Sequence, residues 1–157
     1  MNSSTLEPSV SPFQIHAVAQ LLPGEPALQI VEQQVSLARQ WASLGRTEDL
    51  TDFDLSGRNL RNVDLKDARL ARANLSRADL TAGKLARAEL TAANLSRAQL
   101  ARADLTRATL SECDLSFANL SYAKLEGAGM RHAKLMRANL LGANLSGAEL
   151  DGADLSR

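Results

Sequence analysis

Leucine recurs every five residues along two thirds of the chain. From Leu55, Leu60 and Leu65 to Leu155 there are 21 consecutive centres, 20 of them leucine and one Met130. A helix repeats its apolar face every 3.6 residues and a strand alternates every two, so neither can hold this pattern on one side. Two residues before each centre stands a second small site, alanine in 16 of the 21 cases, with Gly83 and Cys113 also small. Phe53, Arg58 and Val63 are the exceptions, all at the start of the run. The stretch "ARANLSRADL" at 71–80 displays the unit: alanine, polar, leucine, small polar, variable. A period of five fits a winding chain whose leucines all point inward, with the small residue leaving room beside each. The expected core therefore includes Ala73, Leu75, Ala78, Leu80, Leu95, Leu100, Cys113, Leu115 and Met130.

Five residues cannot form an independent supersecondary unit. Successive coils must stack at about 4.8 Å, the ordinary spacing of paired strands, each burying its apolar face against its neighbours. A second period sets the coil. The residue after the leucine is serine at 56, 76, 96, 116 and 156, broken only by Met136, and "ANLSRA" recurs at 73–78 and 93–98. A lag of 20 means four pentads per coil, so 21 pentads give about five coils in an all-β solenoid.

The repeated A-[DN]-L-x-x unit, seen in "ANLSR", "ADLTR", "ANLSY", "ANLLG" and "ADLSR", resembles the pentapeptide repeat family over residues 51–157. The resemblance implies a right-handed quadrilateral β-helix with the leucine and the preceding small residue inward and the other three positions outward.

Residues 1–50 lack the period. "SPFQIHAVAQLL", Ser11 to Leu22, predicts a short helix with Ser11 as N-cap and Pro12 in the first turn. Pro26 to Gly45 predicts a longer one, with Leu28, Val31, Val35, Ala38 and Ala42 on one face, Trp41 on its flank and Gly45 as the C-terminal stop. The end of a β-helix exposes strand edges and core leucines, so residues 1–50 are expected to cap the solenoid of residues 51–157. The large Phe53 and Val63 suit an end coil, and there Arg58 can reach solvent from an inward site. Partner binding by the second helix is the alternative.

Composition narrows the function. Apolar residues make up 45% of the chain but aromatics only 3%, so leucine and alanine must build the core. The formal net charge is zero, which argues against a general nucleic-acid binder. Residues 1–50 hold five acids and two bases, a charge of −3; residues 51–157 hold 13 acids and 16 bases, a charge of +3. One cysteine excludes an intrachain disulfide. No secretory signal and no membrane span is legible, so a cytoplasmic protein is expected.

Chemistry is scarce. His16 and His132 show no metal spacing, Cys113 sits at an inward alanine-type site, and no glycine-rich loop precedes a helix. A leucine-filled solenoid has no cavity for a small-molecule substrate, so no enzyme, catalytic residue, cofactor or metal is expected. The surface remains. One outward column runs Gly57, Arg77, Arg97, Phe117, Arg137, Arg157, and another runs Asp64, Lys84, Asp104, Lys124, Asn144, a self-compensating charge ladder. Phe117, Tyr122, Met136 and Leu141 break an otherwise charged or small surface, and the period of 20 brings them to one edge with Arg97 and Arg137 as a rim. The first functional reading is a non-catalytic protein-interaction scaffold that binds a protein partner there. The resemblance implies a second: some pentapeptide repeat proteins mimic DNA and bind type II topoisomerases. The basic repeat region and its leucine centres fit that poorly. Nucleic-acid binding through the arginine column ranks third, because Asp54, Asp114 and Asp154 share that side. The sequence ends in register at "ADLSR", so a homodimer through the C-terminal coil is also expected.

Overall fold

The computed structural model describes residues 27–46 and 49–156. Its dominant element is a staircase of isolated parallel bridges. Each of the 18 pairs residue i with residue i+20, from Asp49↔Arg69 to Lys134↔Asp154. The lag of 20 predicted from serine spacing is therefore the pitch of the coil, and four pentads make one four-sided turn. The winding starts one pentad earlier than the run of repeats from residue 51 suggests. Asp49 already bridges Arg69, and Leu50, which stands in register with the later leucines, is fully buried.

A single pentad, Ala73 to Arg77, shows why five residues suffice. The Ala73 N–H donates to Leu70 O at 3.1 Å and closes a turn. Asn74 donates back to Phe53 O in the preceding coil at 2.8 Å; Leu75 and Arg77 donate forward to Asn94 O and Ser96 O at 2.7 and 2.9 Å. The fifth N–H, of Ser76, donates to the Asn74 side chain, Oδ1, at 3.2 Å. Every backbone donor is satisfied, as burial against neighbouring coils requires.

The turn has a positive φ at its third residue only, the signature of a type II turn. All 21 residues that lie two after a leucine centre, from Asp52 to Gly152, have φ between 55° and 69°. Only five are glycine; arginine, alanine, aspartate, Asn62, Glu112, His132 and even Phe117 and Tyr122 occupy the rest. None is β-branched, the side-chain type that this left-handed region excludes most strongly.

The core is a column of leucine and alanine. Leu75, Leu80, Leu95, Leu100, Leu115, Met130, Ala73, Ala78 and Cys113 are all fully buried. Burial decreases along the last coil, where Leu140, Leu145 and Leu150 are half-buried and Leu155 is 50% exposed.

Helix α1 spans Ala27–Gln40. It is shorter than the Pro26–Gly45 prediction because the last residues tighten into turns: Ser43 and Leu44 N–H both reach Gln40 O, and Arg46 N–H reaches Trp41 O at 3.3 Å. Gly45, at φ 79°, supplies the left-handed residue that this closure needs. Its buried stripe is Val35, Ala38 and Trp41, with Val31 and Leu37 partly covered. Trp41 is thus central rather than flanking, and Ala42 is only half-buried. The Ser11–Leu22 helix prediction lies outside the described residues.

Polar side chains from α1 and its exit meet the edge of the first coil. Gln34 Oε1 accepts the Asp54 N–H at 2.9 Å, Arg39 donates to Asn59 O at 2.8 Å, and Arg46 donates to Lys66 O at 2.8 Å. In later coils the equivalent backbone groups pair with a preceding coil; here three side chains, each 20 residues upstream, take that place. Arg58, on an otherwise apolar inward site, ends on Glu32 Oε1 at 2.8 Å.

Candidate interaction surface

The side of the coil centred on Leu100, Leu120 and Leu140 lies between two corner columns. One corner carries Arg97, Phe117 and Arg137 on successive coils; the other carries Arg102, Tyr122 and Gly142. All six have positive φ, so the turn itself throws these side chains outward. The Arg97 guanidinium carbon sits 5.1 Å from the Phe117 ring centroid and that of Arg137 sits 5.7 Å away, one from the coil before and one from the coil after. Such contacts contribute about 0.5–1 kcal/mol each at an exposed site and bias the arginines toward the ring.

The four apolar residues singled out in the sequence lie in two pairs, one at each corner of this side. Phe117 N–H donates to Met136 O and Tyr122 N–H donates to Leu141 O, each at 2.8 Å. Phe117, Tyr122, Met136 and Leu141 are 43%, 58%, 38% and 64% exposed, whereas outward positions elsewhere on the repeats are charged, polar or small. The Tyr122 ring lies over Gly142 so closely that a Cβ there would meet it at 2.6 Å. Gly142 is therefore what lets the ring fold flat against the next coil. Between the corners runs an amide ladder: Asn119 Nδ2 donates to Gln99 Oε1 at 3.1 Å and Asn139 Nδ2 donates to Asn119 Oδ1 at 3.3 Å.

Charge is distributed unevenly. In the early coils, corner charges pair along the stack: Arg72 with Asp52 at 2.7 Å and Arg87 with Asp67 at 2.6 Å. The Arg87 fork holds the Asp67 carboxyl below the usual carboxylate range. Of the predicted Asp64–Lys84 ladder only that first pair closes, at 4.0 Å, and Asp64 has a nearer partner in Arg46 at 3.0 Å. Among the described residues, Arg77, Arg97, Arg102, Arg107 and Arg137 have no carboxylate within ion-pair distance. A shallow groove of about 430 Å³, lined by Ser56, Gly57, Ser76, Arg77, Asn94, Ser96 and Arg97, runs beside the same arginine column.

Cys113 offers no reactive thiol. Its Sγ–H donates to Leu90 O at 2.7 Å, and burial pushes its pKa up to about 12. Among the described residues no group of acidic, histidine or cysteine side chains is arranged to hold a metal ion, and no helix is long and apolar enough to cross a membrane.

The sequence missed one class of working residue. All 13 Asp and Asn residues at the position before the leucine accept the N–H two residues on; Asp54 to Ser56, Asp104 to Thr106 and Asp114 to Ser116 are examples, at 3.1, 3.0 and 2.9 Å. The A-[DN]-L spelling was itself the signal, because Asp and Asn are the side chains that bond their own backbone two residues on.

These features define a four-sided β-helical solenoid with an exposed amphipathic side. The pentapeptide repeat family model matches residues 49–84, 84–116 and 118–157, in eight copies. The chain belongs to the pentapeptide repeat family, whose members wind as right-handed quadrilateral β-helices. Among solved structures it is similar to a trypsin-treated variant of QnrB1, a plasmid-mediated fluoroquinolone resistance protein, with 25% identity, a TM-score of 0.56, and coverage of 66% of this chain and 60% of that one. The chain thus spans well under two thirds of that protein's length. It also matches Rfr23 from the cyanobacterium Cyanothece 51142, with 28% identity over 76% of this chain and 98% of that one and a TM-score of 0.43. A third match is alr5209 from Nostoc Pcc 7120, with 33% identity over 79% and 74% of the two chains and a TM-score of 0.33. A search of curated proteins gave no match.

Proposed function

We infer that this protein is a non-catalytic, cytoplasmic interaction scaffold that presents a rigid β-helix of about five coils to a protein partner. The observation that carries the reading is the exposure of Phe117, Tyr122, Met136 and Leu141 along the two corners of one side of an otherwise polar rod, with Arg97 and Arg137 beside Phe117. Aromatic anchors and arginine are the residue types enriched at interfaces, and contiguous exposed apolar surface marks interaction sites. The helix before the winding acts as a cap: Val35 and Ala38 of α1 and Trp41 just after it join the core of the first coil, and Gln34, Arg39 and Arg46 supply its edge with side-chain partners. At the other end, the half-buried Leu140, Leu145 and Leu150 and the exposed Leu155 are apolar surface that self-association of two copies through the C-terminal coil would cover.

The test is the double change Phe117→Ser with Leu141→Ser, compared with the unchanged protein in pull-downs from the native organism. Partner capture should be lost while the melting temperature stays nearly the same. Capture that persists in the folded variant moves the site to the N-terminal helices.

The likeness to a fluoroquinolone resistance protein favours a second reading, a DNA mimic that binds a type II topoisomerase. That role calls for a continuous acidic surface. Here residues 51–157 carry 16 bases against 13 acids, and the arginine-flanked side is unpaired. Gyrase supercoiling should be unaffected by this protein; inhibition or protection from quinolone would reverse the order of the two readings.

A further inference from the structure

The side between the two corners has a composition found nowhere else on the rod. Its three stacked segments are "SRAQLARA" at 96–103, "SFANLSYA" at 116–123 and "MRANLLGA" at 136–143. Together they hold Arg97, Arg102 and Arg137 and not one acid. All three arginines stand at corner positions with positive φ, and none has an ion-pair partner among the described residues. Elsewhere some corner arginines are compensated, Arg72 by Asp52 and Arg87 by Asp67, while Arg77 and Arg107 are also unpaired; what sets this side apart is that its three unpaired arginines flank exposed apolar residues. An exposed, unpaired guanidinium flanking an apolar anchor is the complement of a carboxylate flanking an apolar side chain.

We propose that this side binds an acidic, amphipathic segment of a protein partner, one whose aromatic or leucine side chain seats among Phe117, Tyr122, Met136 and Leu141 while its Asp or Glu residues pair with Arg97, Arg102 and Arg137. This rests on the interaction reading above and adds the chemistry of the partner. Arginine is suited to the task because its planar fork engages a carboxylate through two parallel N–H donors. Arg97 and Arg137 lie against the Phe117 ring, 5.1 and 5.7 Å from its centroid, and neither has an ion-pair partner among the described residues, so their N–H groups are available to a ligand. Less side-chain freedom is then lost on binding, and such preorganisation strengthens association. The amide ladder of Gln99, Asn119 and Asn139 forms an uncharged, hydrogen-bonding floor between the two corners.

The same geometry disfavours a nucleic acid. Proteins that track single strands stack bases on open aromatic faces. Two guanidinium carbons, one from each neighbouring coil, lie 5.1 and 5.7 Å from the Phe117 centroid and compete with a base for the ring. Asp114 borders the Phe117 corner and opposes a continuous phosphate track.

The experiment is a selection of a phage-displayed library of random 12-residue peptides on the full chain. Three folded proteins serve as targets: the unchanged protein, the Phe117→Ser with Leu141→Ser variant, and an Arg97→Gln, Arg102→Gln, Arg137→Gln variant. The proposal expects selected peptides enriched in Asp or Glu next to Phe, Tyr, Trp or Leu. Synthetic copies should lose at least tenfold in affinity on the arginine variant and weaken with salt. Peptides without acidic enrichment, or peptides that bind the arginine variant equally well, overturn the charge assignment. If selected peptides instead bind the Phe117→Ser with Leu141→Ser variant equally well, the apolar patch is not the site and the underlying reading fails with it. Failure to select any peptide, or binding of a fluorescein-labelled dT 20-mer through the same arginines, overturns the proposal in favour of no ligand or a nucleic acid.

Discussion

The side chain before each leucine should contribute measurable stability only where it is Asp or Asn. Asn94 tests this without a change of charge. Its Oδ1 accepts the Ser96 N–H at 3.0 Å and the Ser96 hydroxyl at 2.7 Å. Asn94→Ala removes both, leaving the Ser96 N–H without its acceptor. A hydrogen bond of this kind contributes about 0.5–1.5 kcal/mol net. Asn94 is exposed, so water can reach the freed N–H and the loss falls in the lower half of that range, about 0.5–1 kcal/mol. With a urea slope of about 2 kcal/mol/M, the unfolding midpoint should drop by about 0.3–0.5 M. Asn94→Asp retains the acceptor and should retain most of the stability. Glu89→Ala alters the same pentad position one unit earlier, where the longer side chain makes no such turn bond, and should shift the midpoint by less than about 0.2 M. Circular dichroism at 218 nm follows the transition. Equal shifts for Asn94→Ala and Glu89→Ala would refute the claim that the Asx bond, rather than mere polarity, is what the repeat selects.

Three further outcomes follow from the same geometry. Leu100→Asp puts an unpaired carboxylate into a fully buried column and should cost more than about 4 kcal/mol, while Arg102→Asp, two residues on and outward, should change thermal stability little; similar melting shifts would sink the inward and outward assignment. Partial burial pushes the carboxyls of Asp64, Asp79 and Asp104 up, but hydrogen bonds from Arg46 to Asp64 and from Thr81 and Thr106 to the other two outweigh it, so all three lie below the ordinary value of 3.8. The stability they supply is present above that value and lost as pH falls through the depressed ones, so the urea midpoint should be flat from pH 5 to 7 and decline below about pH 4; a rise on acidification would contradict it. Multi-angle light scattering should report a dimer at high concentration, and a monomer throughout would exclude association through the C-terminal coil.

Much of the architecture is legible in the sequence because every coil repeats one local rule. The period of five names the buried sites, and the serine spacing names the pitch without any tertiary information. What stayed hidden was set by backbone rather than side-chain pattern. The corner position looks merely variable in sequence, since arginine, alanine, glutamate and phenylalanine all occur there. Only the φ values reveal that each of these is held in the left-handed region, and that the real restriction is the absence of valine, isoleucine and threonine. Leu50 escaped the repeat count because the pentads around it lack the inward alanine, yet the backbone is already winding there. The place of Trp41 in the helix stripe was misjudged for a different reason. Periodicity ranks a face by its average, whereas the actual contact is decided by which residues overlie the first coil.

Function on such a rod has few places to reside. The inward sites are confined to leucine and small residues by packing, and the position before the leucine is recruited by the backbone wherever it is Asp or Asn. The corners are the least constrained by the core, although a non-glycine residue held at positive φ costs about 1 kcal/mol or more there. Long corner side chains recover part of that by reaching along the stack, as Arg72 and Arg87 do onto the aspartates one coil away. Arg97 and Arg137 reach along the stack too, but onto a phenyl ring, and neither has an ion-pair partner among the described residues. If stability alone had chosen the corner residues of these coils, an aspartate in place of Phe117 would have paired with both arginines. A ring at that position gives up the ion pairs and keeps the guanidiniums available, which is what the proposed binding of an acidic segment requires.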